Sequence, residues 1–242
     1  MRGGTNWGET NGRRLLRLGG VCAVLGTAAN VVASVGHGDL PEAGTRAALG
    51  FVAERDTWGL VHLTSIFAVL LWLVAFAALS SSMPRGAAGL LSRFGLVSIS
   101  VGAAVHVVFS IDGYALKGAP DAWAAAPGSE RESLLRAGDL VLLLQDSQFV
   151  SVIALVLRLP FVLFGLSVAF SRAYPAWLGW VGATAGAGAF FTGTTRFVRF
   201  ELIPDPVLFG VFGLGVSLWM AAMGALMWKR AGELPHADPG SA

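Results

Sequence analysis

The sequence predicts an all-α, polytopic membrane protein: a bundle of six transmembrane helices with an extended fourth helix and a short amphipathic surface helix. Two observations carry this prediction. Of the 242 residues, 55% are hydrophobic and only 13% are charged, whereas a soluble domain carries about 25% charged residues. The apolar residues also form long runs with few or no charges, each long enough to cross a bilayer.

The predicted spans cover residues 15–35, 58–79, 90–112, 151–171, 177–195 and 207–228. We therefore assign one transmembrane domain to residues 15–230. Residues 1–14 are expected to form a cytoplasmic N-terminal tail. Residues 231–242, which are polar and contain Pro and Gly, are expected to be a disordered C-terminal tail.

Two helices outside the simple span pattern are expected. Between the first and second spans, Asp39 is a predicted N-cap and Pro41 suits the first turn of a short amphipathic helix on the membrane surface. A longer helix is predicted to begin with the capping-box pair Ser129 and Glu132 and to continue through the fourth span. Pro160 should kink this helix, because proline removes one backbone hydrogen bond.

Lys and Arg near the span ends predict the orientation, since cytoplasmic loops are richer in these residues. With both termini in the cytoplasm, nine of these cations lie inside and seven outside, and most acidic residues fall in the outer loops. We therefore expect a multi-pass protein of the bacterial inner (plasma) membrane, with the lipid bilayer as its main partner. The net charge of +2 is too small to indicate nucleic-acid binding.

Polar residues within and near the spans are concentrated in the outer half of the bundle. They are Asn30, His62, His106, Asp112, Gln148, Arg158 and Thr192. Arg158 is the most informative of them, because a charge at membrane depth is costly and usually faces protein or water. At 1.5 Å per residue, we estimate that it lies about 10 Å below the outer edge of its span.

Three interpretations of these residues remain open. In the first, Arg158 pairs with Asp112 or Asp146, and the polar groups only hold the bundle together. In the second, Arg158 lies in an outward-facing polar cavity that binds a small molecule or anion, because the guanidinium donors match carboxylate and phosphate groups. In the third, His62 and His106 are axial ligands of a b-type haem in a membrane electron carrier; an absorption spectrum without a Soret band would eliminate it.

The absence of known catalytic motifs favours a non-enzymatic protein. There is no GxSxG, HExxH, CxxC or P-loop sequence, and no GxGxxG that follows a predicted strand. A small transporter is a further alternative, although no pair of matched broken helices is apparent. The single cysteine, Cys22, excludes an intramolecular disulfide. The sequence indicates neither an oligomeric state nor the identity of a ligand.

Two short segments resemble a known group of proteins. They are RAYPAWLGWVG at residues 172–182 and DGYALK at residues 112–117. Together with the six-span plan, they resemble uncharacterised bacterial (actinobacterial-type) six-helix integral membrane proteins, which are grouped as domains of unknown function. The YPxWLGW stretch recurs in that group at an inner interface. The resemblance implies the fold and the membrane localisation, and it implies no activity.

Overall fold

The computed structural model describes residues 6–41, 43–115, 117–148, 156–197 and 205–234, which form helices and no strands. The helices are α1 (Asn6–His37), α2 (Thr45–Ala53), α3 (Trp58–Ser81), α4 (Ala87–Ala115), α5 (Gly118–Ala125), α6 (Gly128–Gln148), α7 (Leu159–Ser171), α8 (Ala176–Phe197) and α9 (Asp205–Glu233). The all-α prediction is therefore confirmed for the described part of the chain.

Among the described residues, four helices are long and apolar enough to cross a membrane: α1, α3, α4 and α9. α7 is apolar but has only 13 residues, or about 20 Å of helix. α8 has 22 residues and is rich in glycine and alanine. The described chain thus contains four helices of full spanning length and composition, and two more helices that pack beside them.

These six helices form a closed ring. Going round the ring, the order is α1, α3, α4, α7, α8 and α9, and α9 packs against α1 again. Neighbouring members pack antiparallel, so that the start of one helix lies beside the end of the next, which gives the ring two distinct ends. The cap end carries α2, α5 and α6, and α2 contacts both of the other two. The opposite end, called the terminal end here, holds the start of α1 and the end of α9.

An aromatic cluster fills the middle of the ring. Phe161 on α7 makes edge contacts with Trp72, Phe76 and Trp219, at ring-centre distances of 5.6, 5.3 and 5.9 Å. Phe76 also stacks on Phe164 at 4.5 Å. All five side chains are at most 2% exposed. Because these residues come from α3, α7 and α9, the cluster joins opposite sides of the ring through direct contact.

Polar contacts close both ends of the ring. At the cap end, Arg55 Nη1 donates to the carbonyls of Gly36 and His37, which satisfies the end of α1. At the terminal end, the Tyr174 hydroxyl hydrogen-bonds the Ser82 hydroxyl at 2.8 Å. Burial raises the pKa of Tyr174, so the phenol remains protonated at neutral pH. Arg230 donates to the Ala173 carbonyl beside it.

The structure corrects the predicted helix boundaries in three places. The long fourth helix is not continuous, because a turn at Leu157 and Arg158 precedes α7. The surface helix begins at Thr45 after Gly44, whose φ of 98° starts the turn, and not at Asp39. α1 begins at Asn6 and so includes much of the predicted N-terminal tail. Most of the predicted C-terminal tail, residues 235–242, lies outside the described residues.

Candidate functional site

Arg158 lies at the turn that directly precedes α7, where the predicted long fourth helix is interrupted. It is the N-cap of α7, and Pro160 occupies the second helical position, in the first turn where proline is tolerated. Proline also leaves the carbonyl of Val156 without its usual partner. Gly102 on α4 approaches this carbonyl so closely that a Cβ there would lie 3.0 Å from the oxygen. The turn at Arg158 therefore packs closely against a glycine of the neighbouring helix.

The interruption lies well inside the ring. The adjoining Leu157 packs on Gly102, which lies about 20 Å of helix before the end of α4. The Arg158 side chain is 9% exposed. A Cβ atom on Gly213 would lie 3.8 Å from Arg158 Nη2. The guanidinium therefore extends from α7 across the ring towards α9.

His106 on α4 is close to the same place. Its Nε2 lies 2.7 Å from the Ser65 hydroxyl of α3, and it lies one helical turn from Gly102, which packs against Leu157 next to Arg158. Its Nδ1 is buried and has no hydrogen-bond partner in the described part of the chain. The site thus contains a buried cation and an adjacent imidazole nitrogen that could bond to a ligand.

On the side of the site opposite α3 and α4, the polar side chains come from α1 and α9. Asn30 Nδ2 donates to Ser217 Oγ at 3.4 Å, and Ser217 Oγ in turn donates to the Gly213 carbonyl at 2.9 Å. Gly213 is also the residue beside the Arg158 guanidinium. We call Asn30, Ser65, His106, Arg158 and Ser217 the polar layer. It joins α1, α3, α4, α7 and α9 on the cap side of the aromatic cluster.

The other predicted site residues lie elsewhere or outside the description. His62 is buried, and its Nδ1 donates to the Trp58 carbonyl at 2.9 Å. Thr192 is buried but donates to Ala189 in its own helix. Asp112 is exposed and forms no ion pair with a described residue, whereas the side chain of Gln148 lies outside the description. The Arg158–Asp112 pair expected from the sequence is therefore not present, whereas the side chain of Asp146, the other expected partner, lies outside the description.

Two members of the polar layer, Ser65 and Ser217, were not predicted from the sequence. Serine is common in transmembrane helices, where its hydroxyl usually bonds to a carbonyl one turn back. Ser217 also bonds to a carbonyl one turn back, so the presence of a serine at this position does not by itself indicate a site residue. Ser65 follows His62 by three residues and so lies on the same face of α3, which was the one available indication.

The haem alternative gains no support from the geometry. Nε2 is a common haem-ligating nitrogen of histidine, and in His106 it bonds to Ser65. Ser65 belongs to the same helix as His62, so α3 and α4 are in direct contact at this level. His62 packs instead against the rings of Trp58 and His37. In the described chain, no group of three or more His, Cys, Asp or Glu side chains is arranged to hold a metal ion.

Fold and site together define a helical-bundle protein with membrane-length helices and a buried polar layer. Searches against protein-family models, curated proteins and solved structures found no match to this chain. The similarity to six-helix bacterial membrane proteins therefore remains a prediction from the two short segments.

Proposed function

We propose that the chain is a six-span protein of a bacterial plasma membrane with both termini in the cytoplasm. The main support is the outer surface of the ring, where large apolar side chains are exposed on all six helices. Examples are Val32 on α1, Phe67 on α3, Val97 on α4, Phe170 on α7, Trp180 on α8 and Leu218 on α9. Such a continuous apolar surface suits lipid better than water. It includes α7 and α8, the two members of the ring that are not of full spanning length and composition.

The orientation follows from the cations at the terminal end. Arg14, Arg17, Arg85, Arg93 and Lys229 are exposed there, and cytoplasmic ends are enriched in such residues. Trp177 and Trp228 are 66% and 53% exposed near the same end, as is typical of a headgroup layer. The cap end with α2, α5 and α6 would then face outwards.

A labelling experiment tests this topology. With Cys22 replaced by serine, single cysteines are introduced as Arg85→Cys at the terminal end and Glu130→Cys at the cap end. In intact cells, a membrane-impermeant maleimide should label the cysteine at position 130 and not that at position 85, and lysis should expose both. Labelling of position 85 in intact cells would reverse the orientation, and labelling of both positions would contradict the six-span arrangement.

We further propose that the polar layer binds a small anion that enters from the cap end. The observation that carries this proposal is the buried guanidinium of Arg158 at the interrupted helix, directed into the ring beside His106. Arginine presents paired N–H donors that match a carboxylate or a phosphate. The first turn of α7 adds the partial positive charge of a helix N-terminus. The proposed activity is binding, without covalent chemistry.

Anion binding can be measured by calorimetry on detergent-purified protein with formate, acetate, sulfate and inorganic phosphate. Arg158→Gln should weaken binding of the preferred anion at least tenfold, since a charged hydrogen bond contributes about 1.5–3 kcal/mol. Arg158→Lys should restore only part of the affinity because lysine lacks the paired donors. Arg85→Gln, at an exposed arginine, is the matched control. Absence of binding by the wild type, or equal binding by Arg158→Gln, would refute the proposal.

A further inference from the structure

A second group of polar side chains lies at the cap end, separate from the polar layer. His37, the last residue of α1, and His62 on α3 face each other with ring centres 5.4 Å apart. The indole of Trp58 contacts both rings at 4.7 Å. His62 is 5% exposed, whereas His37 is partly exposed. The pair therefore lies between the interior of the ring and its cap-end surface.

The hydrogen bonds define the tautomer of both imidazoles. His37 Nδ1 lies 2.7 Å from the Gly38 carbonyl, and His62 Nδ1 lies 2.9 Å from the Trp58 carbonyl. A carbonyl oxygen only accepts hydrogen bonds, so each Nδ1 must carry the proton. In the neutral ring, Nε2 then has a free lone pair. Within the described chain, neither Nε2 forms a hydrogen bond.

This arrangement is typical of metal-binding histidines. Such residues usually donate the other ring N–H to a carbonyl or carboxylate, which fixes the orientation of the ring. Two imidazoles bound through Nε2 to one tetrahedral ion have ring centres about 5 Å apart, given metal–nitrogen distances of about 2.0–2.1 Å. The observed separation of 5.4 Å meets this requirement. Imidazole nitrogens suit nickel, copper and zinc rather than magnesium or calcium.

We infer that His37 and His62 form a binding site for a divalent transition-metal ion of the copper, nickel and zinc class. The two Nε2 atoms supply two ligands, and water completes the coordination from the side of the partly exposed His37. The site is built on the ends of two ring helices. Arg55 Nη1 fixes the end of α1 by hydrogen bonds to the Gly36 and His37 carbonyls. The inference does not depend on anion binding by Arg158.

The test uses Cu²⁺ with untagged, detergent-purified protein. The wild type should bind one Cu²⁺ at this site, and its electron paramagnetic resonance spectrum should show hyperfine splitting from two imidazole nitrogens. Loss of a single outer-shell partner typically weakens metal binding 10–100-fold, so His37→Gln, which removes a ligand, should cost at least tenfold. His62→Gln should do the same. His236→Gln is the matched control and should leave both affinity and splitting unchanged.

A second measurement needs no mutation and covers the case in which His62→Gln does not fold. Zn²⁺ bound to both Nε2 atoms should protect the partly exposed His37 from diethylpyrocarbonate, as read by mass spectrometry of the peptide that contains it. Equal modification with and without Zn²⁺ would overturn the proposal. So would Cu²⁺ binding that is unchanged in His37→Gln, or that is lost in His236→Gln.

Discussion

Gly165→Ala is expected to lower the free energy of unfolding by about 1–3 kcal/mol, the usual cost of overpacking a well-packed core. Gly165 on α7 lies against the backbone of α8, where an added Cβ would stand 2.2 Å from the Ala183 nitrogen. No rotation of a side chain can relieve this contact, so the two helices must separate. The measurement is the thermal unfolding midpoint of detergent-purified protein.

Gly210→Ala is the matched control for this experiment. Gly210 is also a helical glycine, but a Cβ there meets no atom within 4 Å. Alanine is a better helix former than glycine by about 0.8–1 kcal/mol, so this variant should be unchanged or slightly more stable. If the two substitutions had the same effect, the close approach of α7 and α8 would not be a determinant of stability.

Phe161→Ala should be the more damaging of two truncations on the same helix. Its ring lies at the centre of the aromatic cluster and is fully buried, whereas Phe170 on α7 is 53% exposed on the outer surface. In a membrane, helices associate through packing rather than through exclusion of water. The cavity left by Phe161 should therefore cost about 3 kcal/mol or more.

Phe170→Ala removes the same atoms from an exposed position on the outer surface of the ring and should change stability by less than about 1 kcal/mol, as surface substitutions usually do. Both variants are compared by thermal unfolding and by resistance to proteolysis. A Phe161→Ala protein as stable as Phe170→Ala would show that the aromatic cluster does not hold the ring together.

The start of α3 and most of α4 could be predicted from the sequence, because long apolar runs have clear polar ends. The predicted second span, 58–79, and α3, Trp58–Ser81, begin at the same residue. The interruption at Arg158 could not be predicted in the same way. Pro160 is compatible with a kink or with a helix start. In this fold, the interruption coincides with Gly102 on another helix, which leaves space beside the Val156 carbonyl.

Only some residues of the polar layer could be predicted from the sequence. Arg158, His106 and Asn30 stand out in the sequence because ionisable and amide groups are rare in spans. Their partners depend on which helices are neighbours in the ring. Asn30 meets Ser217 across 187 positions of sequence, and a single sequence contains no signal for that pairing. Asp112 was expected at the site and is instead on the exposed side of α4, since helical phase decides its direction.

The contact between α1 and α9 has a consequence for biosynthesis. Gly20 and Gly224 bring the first and last ring helices together so closely that a Cβ on Gly20 would stand 2.7 Å from the Gly224 carbonyl. Because α9 is made after the other five ring helices, the ring stays open on one side until α9 has been synthesised. During that time Asn30 lacks its partner Ser217, and Arg158 lacks the helix that covers it. Until then, the polar side chains of α1 and α7 that α9 covers in the folded chain remain uncovered.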